Sequence, residues 1–291
     1  MADKQCSVAG TPALYEGRHA VRTRADRIFR IAVAVPASIV FLMLILIVGR
    51  IIIKGIPALN LDFFIRAQKP FGEAGGGVAH AIIGTILLLV LAAAISIPLS
   101  LLASLYLHEH RDSQKARILS SAISTLQGIP SIVIGVVIYS WVVVPLRGFS
   151  AIAGSVSLSI VMIPVMTTIM KESLDMVPPS YMEGALALGV PRWRALTGVL
   201  IPAARSGLKE SIGLGVARAA GETAPLLFTA FGSPYLTFSV TGPVSSLPLL
   251  IYEYIKSPYE DWHQKAWGAA FLLVLFIFSL NILTGMKRNN E

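Results

Sequence analysis

A single cysteine, Cys6, stands among 291 residues. One thiol excludes an internal disulfide and a thiolate metal cage. No lipobox-like sequence precedes Cys6, which argues against lipidation. Charge is scarce as well. Only 14% of residues are charged and 55% are hydrophobic, whereas soluble domains carry about a quarter charged residues. No Gly-x-x-x-x-Gly-Lys-Ser/Thr loop occurs, so ATP is not bound by that route. His-Glu-x-x-His and Gly-x-Ser-x-Gly are missing too, which leaves no zincin or serine-hydrolase centre. Neither covalent chemistry nor a cofactor or metal is expected.

Long apolar runs take their place, and mean hydropathy is +0.72. A membrane-crossing helix needs about 20 apolar residues. Six stretches qualify: 31–53, 78–107, 125–145, 151–170, 206–230 and 266–285. The fold class is therefore an all-α polytopic membrane protein of about six spans. Pro98 lies inside the second run and invites a kink. The first run starts late and has no small-residue cleavage site after it, so it reads as a span and not a signal peptide. Residues 1–26 lack an apolar period and read as frayed. Pro70 to Gly77 holds four glycines and reads as a flexible external loop.

The net charge of +8 has a topological explanation. Arg218 aside, 16 basic residues lie before the first run, after the second, around the fourth-to-fifth connection or after the sixth, and 7 lie on the alternate loops. The positive-inside rule then puts both termini in the cytoplasm, and no nucleic-acid partner is needed. The organisation is a tail at 1–30, a membrane domain at 31–285 with a cytoplasmic loop at 178–203, and a tail at 286–291.

That loop has its own punctuation. Pro178 and Pro179 stop the preceding helix. Ser180 followed by Glu183 reads as a capping box. Gly189 ends the short helix at positive φ, and Pro191 suits the first turn of the next. The fifth run carries two stripes at four-residue spacing. Gly207, Ser211, Gly215, Ala219 and Thr223 form a small-residue face suited to close helix packing. Glu210, Leu214, Arg218 and Glu222 form the other. Arg218 lies about 13 Å along the helix from Lys209, near the middle of a hydrocarbon layer about 30 Å thick. Ionisable groups at that depth mark a substrate or ion path. Two roles are open for Arg218: an internal ion pair with Glu222, or a planar fork for an oxyanion. Pro225 removes the helical partner of the Gly221 carbonyl and makes the segment more polar.

Both regions match known patterns. Glu183, Gly184, Ala185, Gly189, Val199, Ile201 and Pro202 keep the spacing of the Glu-Ala-Ala loop of bacterial ABC importer permeases, with Gly184, Val199 and Ile201 as departures. The run Arg218-Ala-Ala-Gly-Glu-Thr-Ala-Pro-Leu-Leu-Phe-Thr229 resembles the signature of the A-type permeases of phosphate-specific transport systems (the PstA family). So do Gly76 to Thr85, Tyr106-Leu-His-Glu109, Gly128 to Val133 and Ser257 to Trp267, with His110 where family members often have Tyr. The resemblance implies a subunit of an ATP-driven importer in the bacterial cytoplasmic membrane that translocates inorganic phosphate. It implies as partners a second, PstC-like permease, two ATP-binding subunits and an extracytoplasmic phosphate-binding protein. The docking loop would hold Glu183, Gly184, Ala185 and Gly189, and the substrate path Arg218, Glu222 and Thr223. An importer of another oxyanion or small solute is the alternative within transporters. A stand-alone channel or carrier is the alternative outside them, and the loop motif argues against it.

Weaker signals complete the reading. His108, Glu109 and His110 read as a solvated span end. Trp193, Trp262 and Trp267 read as interface aromatics. Gln127, Pro130 and Ser131 either line the path or shape a kink. Between Phe231 and Lys265, the stretch from Leu247 to Ile255 reads as a short external helix, in a segment that meets a binding protein or closes over the bundle.

Overall fold

The computed structural model describes residues 12–70, 73 and 75–285. The chain divides into two compact units, Met1–Ile52 and Ile53–Glu291. Most of helix α1 (Pro12–Gly55) belongs to the first, and the apolar stretch Phe29–Ala58 covers its C-terminal part and the 3₁₀ turn that follows. Its start at Pro12 makes residues 12–26 helical where the sequence predicts fraying. Ala13, Leu14, Glu16, Arg18 and Ala20 are strong helix formers, and extending a span costs no new nucleus. Cys6 and the tail 286–291 lie outside the described residues.

In the second unit, α2 (Leu61–Ile65) starts where the Asn60 side chain accepts the Phe63 N–H at 2.8 Å. The glycine-rich stretch after it is tied down. The Gly77 N–H donates to the Ala67 carbonyl at 3.0 Å, and Lys265 Nζ donates to the Gly75 carbonyl. Helix α3 (Ala79–Glu109) follows, with Pro98 inside it.

The third apolar run is not one helix. Helix α4 (Gln114–Gly128) and the segment opened by α5 (Ser131–Ile138) meet at an angle of 101°. Pro130 has no N–H and pushes Ile129 into the extended region at ψ 128°, where a helix cannot continue. A π-helical turn, Tyr139–Val143, carries α5 on to Leu146. Helix α6 (Ala151–Asp175) is the fourth span, extended by one turn.

The loop 178–203 holds α7 (Pro179–Ala187) and α8 (Arg192–Ala195), and a π-helical turn, Leu196–Leu200, leads out of α8. The capping box is absent. Pro178 is the N-cap and Pro179 opens the helix, which places Ser180 inside the first turn. Pro191 likewise caps α8 from outside.

The fifth run also breaks. Helix α9 (Arg205–Ala220) has 16 residues, about 24 Å at 1.5 Å per residue, short of a full crossing. The chain leaves the helix at Gly221 and re-enters it as α10 (Ala224–Leu227). Pro225 explains the break. Its ring clashes with a helical Gly221 carbonyl, and it sits comfortably in the first turn of a new helix. Helix α11 (Leu247–Ile255) is the short helix expected there, and α12 (Glu260–Gly285) is the last span. Among the described residues, four helices are thus long and apolar enough to cross a membrane, and α4 with α5 makes a fifth if taken as one bent span.

The bundle packs through small and polar residues. Ser96, Ser100 and Ser104 share one face of α3 and are fully buried. Ser100 Oγ donates to the Ile163 carbonyl at 3.3 Å, and Ser155 Oγ of α6 donates to the Leu88 carbonyl at 3.2 Å. Leu88, Ala92, Leu158, Met162, Met166 and Leu200 belong to the main apolar cluster. A second cluster joins Phe63, Val78, Leu250, Tyr254 and Trp262. Trp262 is therefore a core residue, with Tyr254 at 4.4 Å between ring centroids, whereas Trp193 is prominently exposed.

Candidate translocation site and docking loop

Two of the three expected path residues lie in the break between α9 and α10. The small-residue stripe of α9 faces α6. Ser211 and Ala219 are buried, and a Cβ added at Gly215 would lie 2.5 Å from Met166 Cγ. On the opposite stripe Leu214 and Arg218 are exposed, while Glu210 and Glu222 are partly buried. Arg218 has 51% of its side chain exposed and Glu222 has 17%. Arg218 Nε and Glu222 Oε1 are 3.8 Å apart, too far for a tight fork-to-carboxylate pair. Thr223 is half-buried and starts α10 without a side-chain cap. The structure thus brings Arg218, Glu222 and Thr223 together where helical hydrogen bonding is interrupted. Non-helical backbone at membrane depth is tolerated only against protein or water.

The second break lies close by. A Cβ added at Gly135 of α5 would sit 2.8 Å from Pro225 Cα, so α5 and α10 touch through backbone. Gln127, one residue from the end of α4, donates from Nε2 to the Pro164 carbonyl at 3.1 Å and to Thr168 Oγ1 at 2.9 Å. It joins α4 to α6 beside the bend. The sequence signalled Gln127 but not Thr168, whose neighbours give it no distinguishing pattern.

The loop 178–203 presents a different surface. At the end of α7, the Gly189 N–H donates to the Leu186 carbonyl at 3.0 Å and the Val190 N–H to the Ala185 carbonyl at 3.2 Å. This pair of bonds needs a left-handed residue, and Gly189 has φ +79°. Glu183 and Gly184 are exposed, while Ala185 packs inward. Tyr181, Leu186, Leu188 and Trp193 are exposed apolar residues on the same loop, Leu188 at 85%. Exposed apolar residues gathered on one loop are what an interaction surface carries.

The loop is also fastened to the bundle. Arg192 Nε donates to Glu109 Oε2 at 2.5 Å, and this bond pushes the Arg192 guanidinium above its ordinary range. Beside it, Asp175 accepts from His108 Nδ1 at 2.6 Å, Lys171 Nζ at 2.7 Å and Arg111 Nη2 at 3.3 Å. The His108–Glu109–His110 end of α3 is an ion-paired junction, more ordered than the solvated end that its sequence suggests. At the other end of the unit, Gln68, Tyr235, Tyr252, Glu253 and Lys256 line an open cavity of about 780 Å³. Burial there pushes the Glu253 carboxyl above its ordinary range, and the hydrogen bond from Gln68 opposes the shift.

Apolar helices broken at a charged turn, with a glycine-ended loop helix on the surface, define a class. A family described as binding-protein-dependent transport system inner membrane component matches residues 96–286. The phosphate transport system permease protein PstA of Pasteurella multocida is 40% identical over 80% of this chain and 83% of its own length. The probable PstA of Methanocaldococcus jannaschii is 34% identical over 89% and 92%. The structure of the MetNI methionine ABC transporter superposes with a TM-score of 0.55 at 18% identity, over 72% of this chain and 92% of that one, and shares the fold. The chain is a multi-pass membrane component of the binding-protein-dependent transport class, and within that class it belongs to the PstA family.

Proposed function

We propose that this chain is the permease subunit of an ATP-driven importer that moves inorganic phosphate across the cytoplasmic membrane. The observation that carries the reading is Arg218, half-exposed beside a helix break in a PstA-family chain. A guanidinium offers several N–H donors in one plane, which suits phosphate oxygens. Glu222 adjusts the site by accepting a hydrogen bond from a protonated oxyanion and repelling one that brings no proton.

The reading assigns the partners and the orientation. A second, PstC-like permease covers the outward stripe of α9. Two ATP-binding subunits dock on Glu183, Gly184, Ala185 and Gly189, and they carry the hydrolysis while this chain performs no covalent chemistry. An extracytoplasmic phosphate-binding protein meets the segment from Phe231 to Lys265. Both termini and the loop 178–203 face the cytoplasm. Support comes from the PstA relatives and from the exposed apolar surface of α7.

The test is phosphate uptake by the reconstituted complex carrying Arg218→Gln. Lost uptake with ATP hydrolysis retained supports the assignment. Uptake at the wild-type rate reduces Arg218 to half of a structural ion pair.

A further inference from the structure

The end of α3 meets the docking loop through Glu109 and Arg192, residues 83 positions apart in the chain. Glu109 is the last residue of α3, and Arg192 is the first of α8, directly after the turn at Gly189. The Glu109 side chain is only 15% exposed, whereas Arg192 is 65% exposed. The carboxylate is therefore held by the bundle and the guanidinium belongs to the loop. Nε is the bonded nitrogen, the one of the three guanidinium nitrogens that lies nearest the backbone.

The far side of this contact is a continuous helix. Helix α3 runs 31 residues from Glu109 back to Ala79. Near its other end, Thr85 Oγ1 accepts the Leu247 N–H at 2.8 Å, at the first residue of α11. At the loop end, Asp175 accepts from His108 and Arg111, which fastens the same end of α3 to α6. A displacement of α8 thus has a polar route into α3 and, along it, to α11. Apolar contacts give a second route. Ala195 and Leu200 are buried, and Met182 and Leu196 pack on the main cluster. Such contacts let helices slide, whereas a charged hydrogen bond fixes one point to another.

We infer that the Glu109–Arg192 pair is a strut that transmits movement of the docking loop to α3, so that Glu109 and Arg192 are positioning residues for coupling and not for docking or assembly. The inference rests on the reading of 178–203 as the ATPase-docking loop. The pair need contribute little to folding, since its guanidinium stands in solvent, where ion pairs add little to stability. Its worth lies in which helix moves when the loop moves.

The experiment uses the whole reconstituted complex in proteoliposomes, with Glu109→Gln, Arg192→Gln and the exchanged pair Glu109→Arg with Arg192→Glu. ATPase co-purification is measured first, then phosphate taken up per ATP hydrolysed. Each single variant is expected to recruit the ATPase normally and to lose about fivefold in uptake per ATP. The exchanged pair is expected to regain most of that loss, which a merely local role for either residue would not produce. Wild-type coupling in both single variants overturns the strut. So does an exchanged pair no better than the single variants. Gly189→Val runs alongside. If it too recruits the ATPase normally, the docking reading fails and the strut that rests on it falls with it, whereas weakened recruitment by Gly189→Val beside wild-type coupling in the Glu109 and Arg192 variants overturns the strut alone.

Discussion

Arg218 is half-exposed while its neighbours in the chain, Ala217 and Ala219, are buried. In the proposed function that exposed guanidinium meets the anion. Replacing it separates charge from shape. Arg218→Lys keeps the charge and loses the planar fork, and Arg218→Gln loses both. Uptake by the reconstituted complex is expected to fall about tenfold for Lys and about a hundredfold for Gln, with ATPase subunits still bound. Equal activity of the Lys and wild-type proteins would show that shape is irrelevant there. Arg218 and Glu222 were legible in the sequence because a charge within an apolar run stands out and four-residue spacing sets both on one face. Glu109 and Arg192 were not legible as partners. Each looks like an ordinary charge at a helix end, and only the fold brings them to 2.5 Å.

At the scale of elements, α7 and α9 depend on particular glycines for different reasons. A Cβ added at Gly189 meets nothing within 4 Å, so the obstacle is the backbone angle of +79°. Gly189→Val is expected to cost about 1–2 kcal/mol in the turn and to weaken ATPase recruitment, read by co-purification, while the protein still inserts. At Gly215 the obstacle is crowding. Gly215→Leu presses on Met166 and is expected to destabilise the bundle by about 1–3 kcal/mol, seen as a lower melting temperature in detergent. An unchanged melting temperature would mean that α9 does not pack on α6 through this stripe. The helices α3, α6 and α12 were readable from apolar length, because an uninterrupted run has one way to hide its backbone in lipid. Hydropathy counts apolar residues but carries no direction, so it joined α4 to α5 and α9 to α10. Pro130 and Pro225 held the missing information. A proline inside an apolar run is compatible with a kink or a break, and the contact between Gly135 and Pro225, absent from any local window, favours the break.

For the whole molecule, orientation and energy source follow from the same account. Leu188 and Ser239 are both exposed, and the orientation puts them on opposite sides of the membrane. With Cys6→Ser as background, Leu188→Cys is expected to react with an impermeant thiol reagent from the cytoplasmic side and Ser239→Cys from the external side. Labelling of Ser239→Cys from the cytoplasmic side alone would invert the topology and move the docking loop away from the ATPase. The central claim is that this chain carries phosphate inward only when ATP-binding subunits drive it. The most direct measurement is uptake of labelled phosphate into proteoliposomes that hold the complete complex with its binding protein, with and without ATP. The account expects phosphate to accumulate with ATP, and to remain outside when ATP or this chain is omitted. Accumulation that proceeds equally without ATP would contradict it, and so would a complex that hydrolyses ATP in response to its loaded binding protein while moving no phosphate.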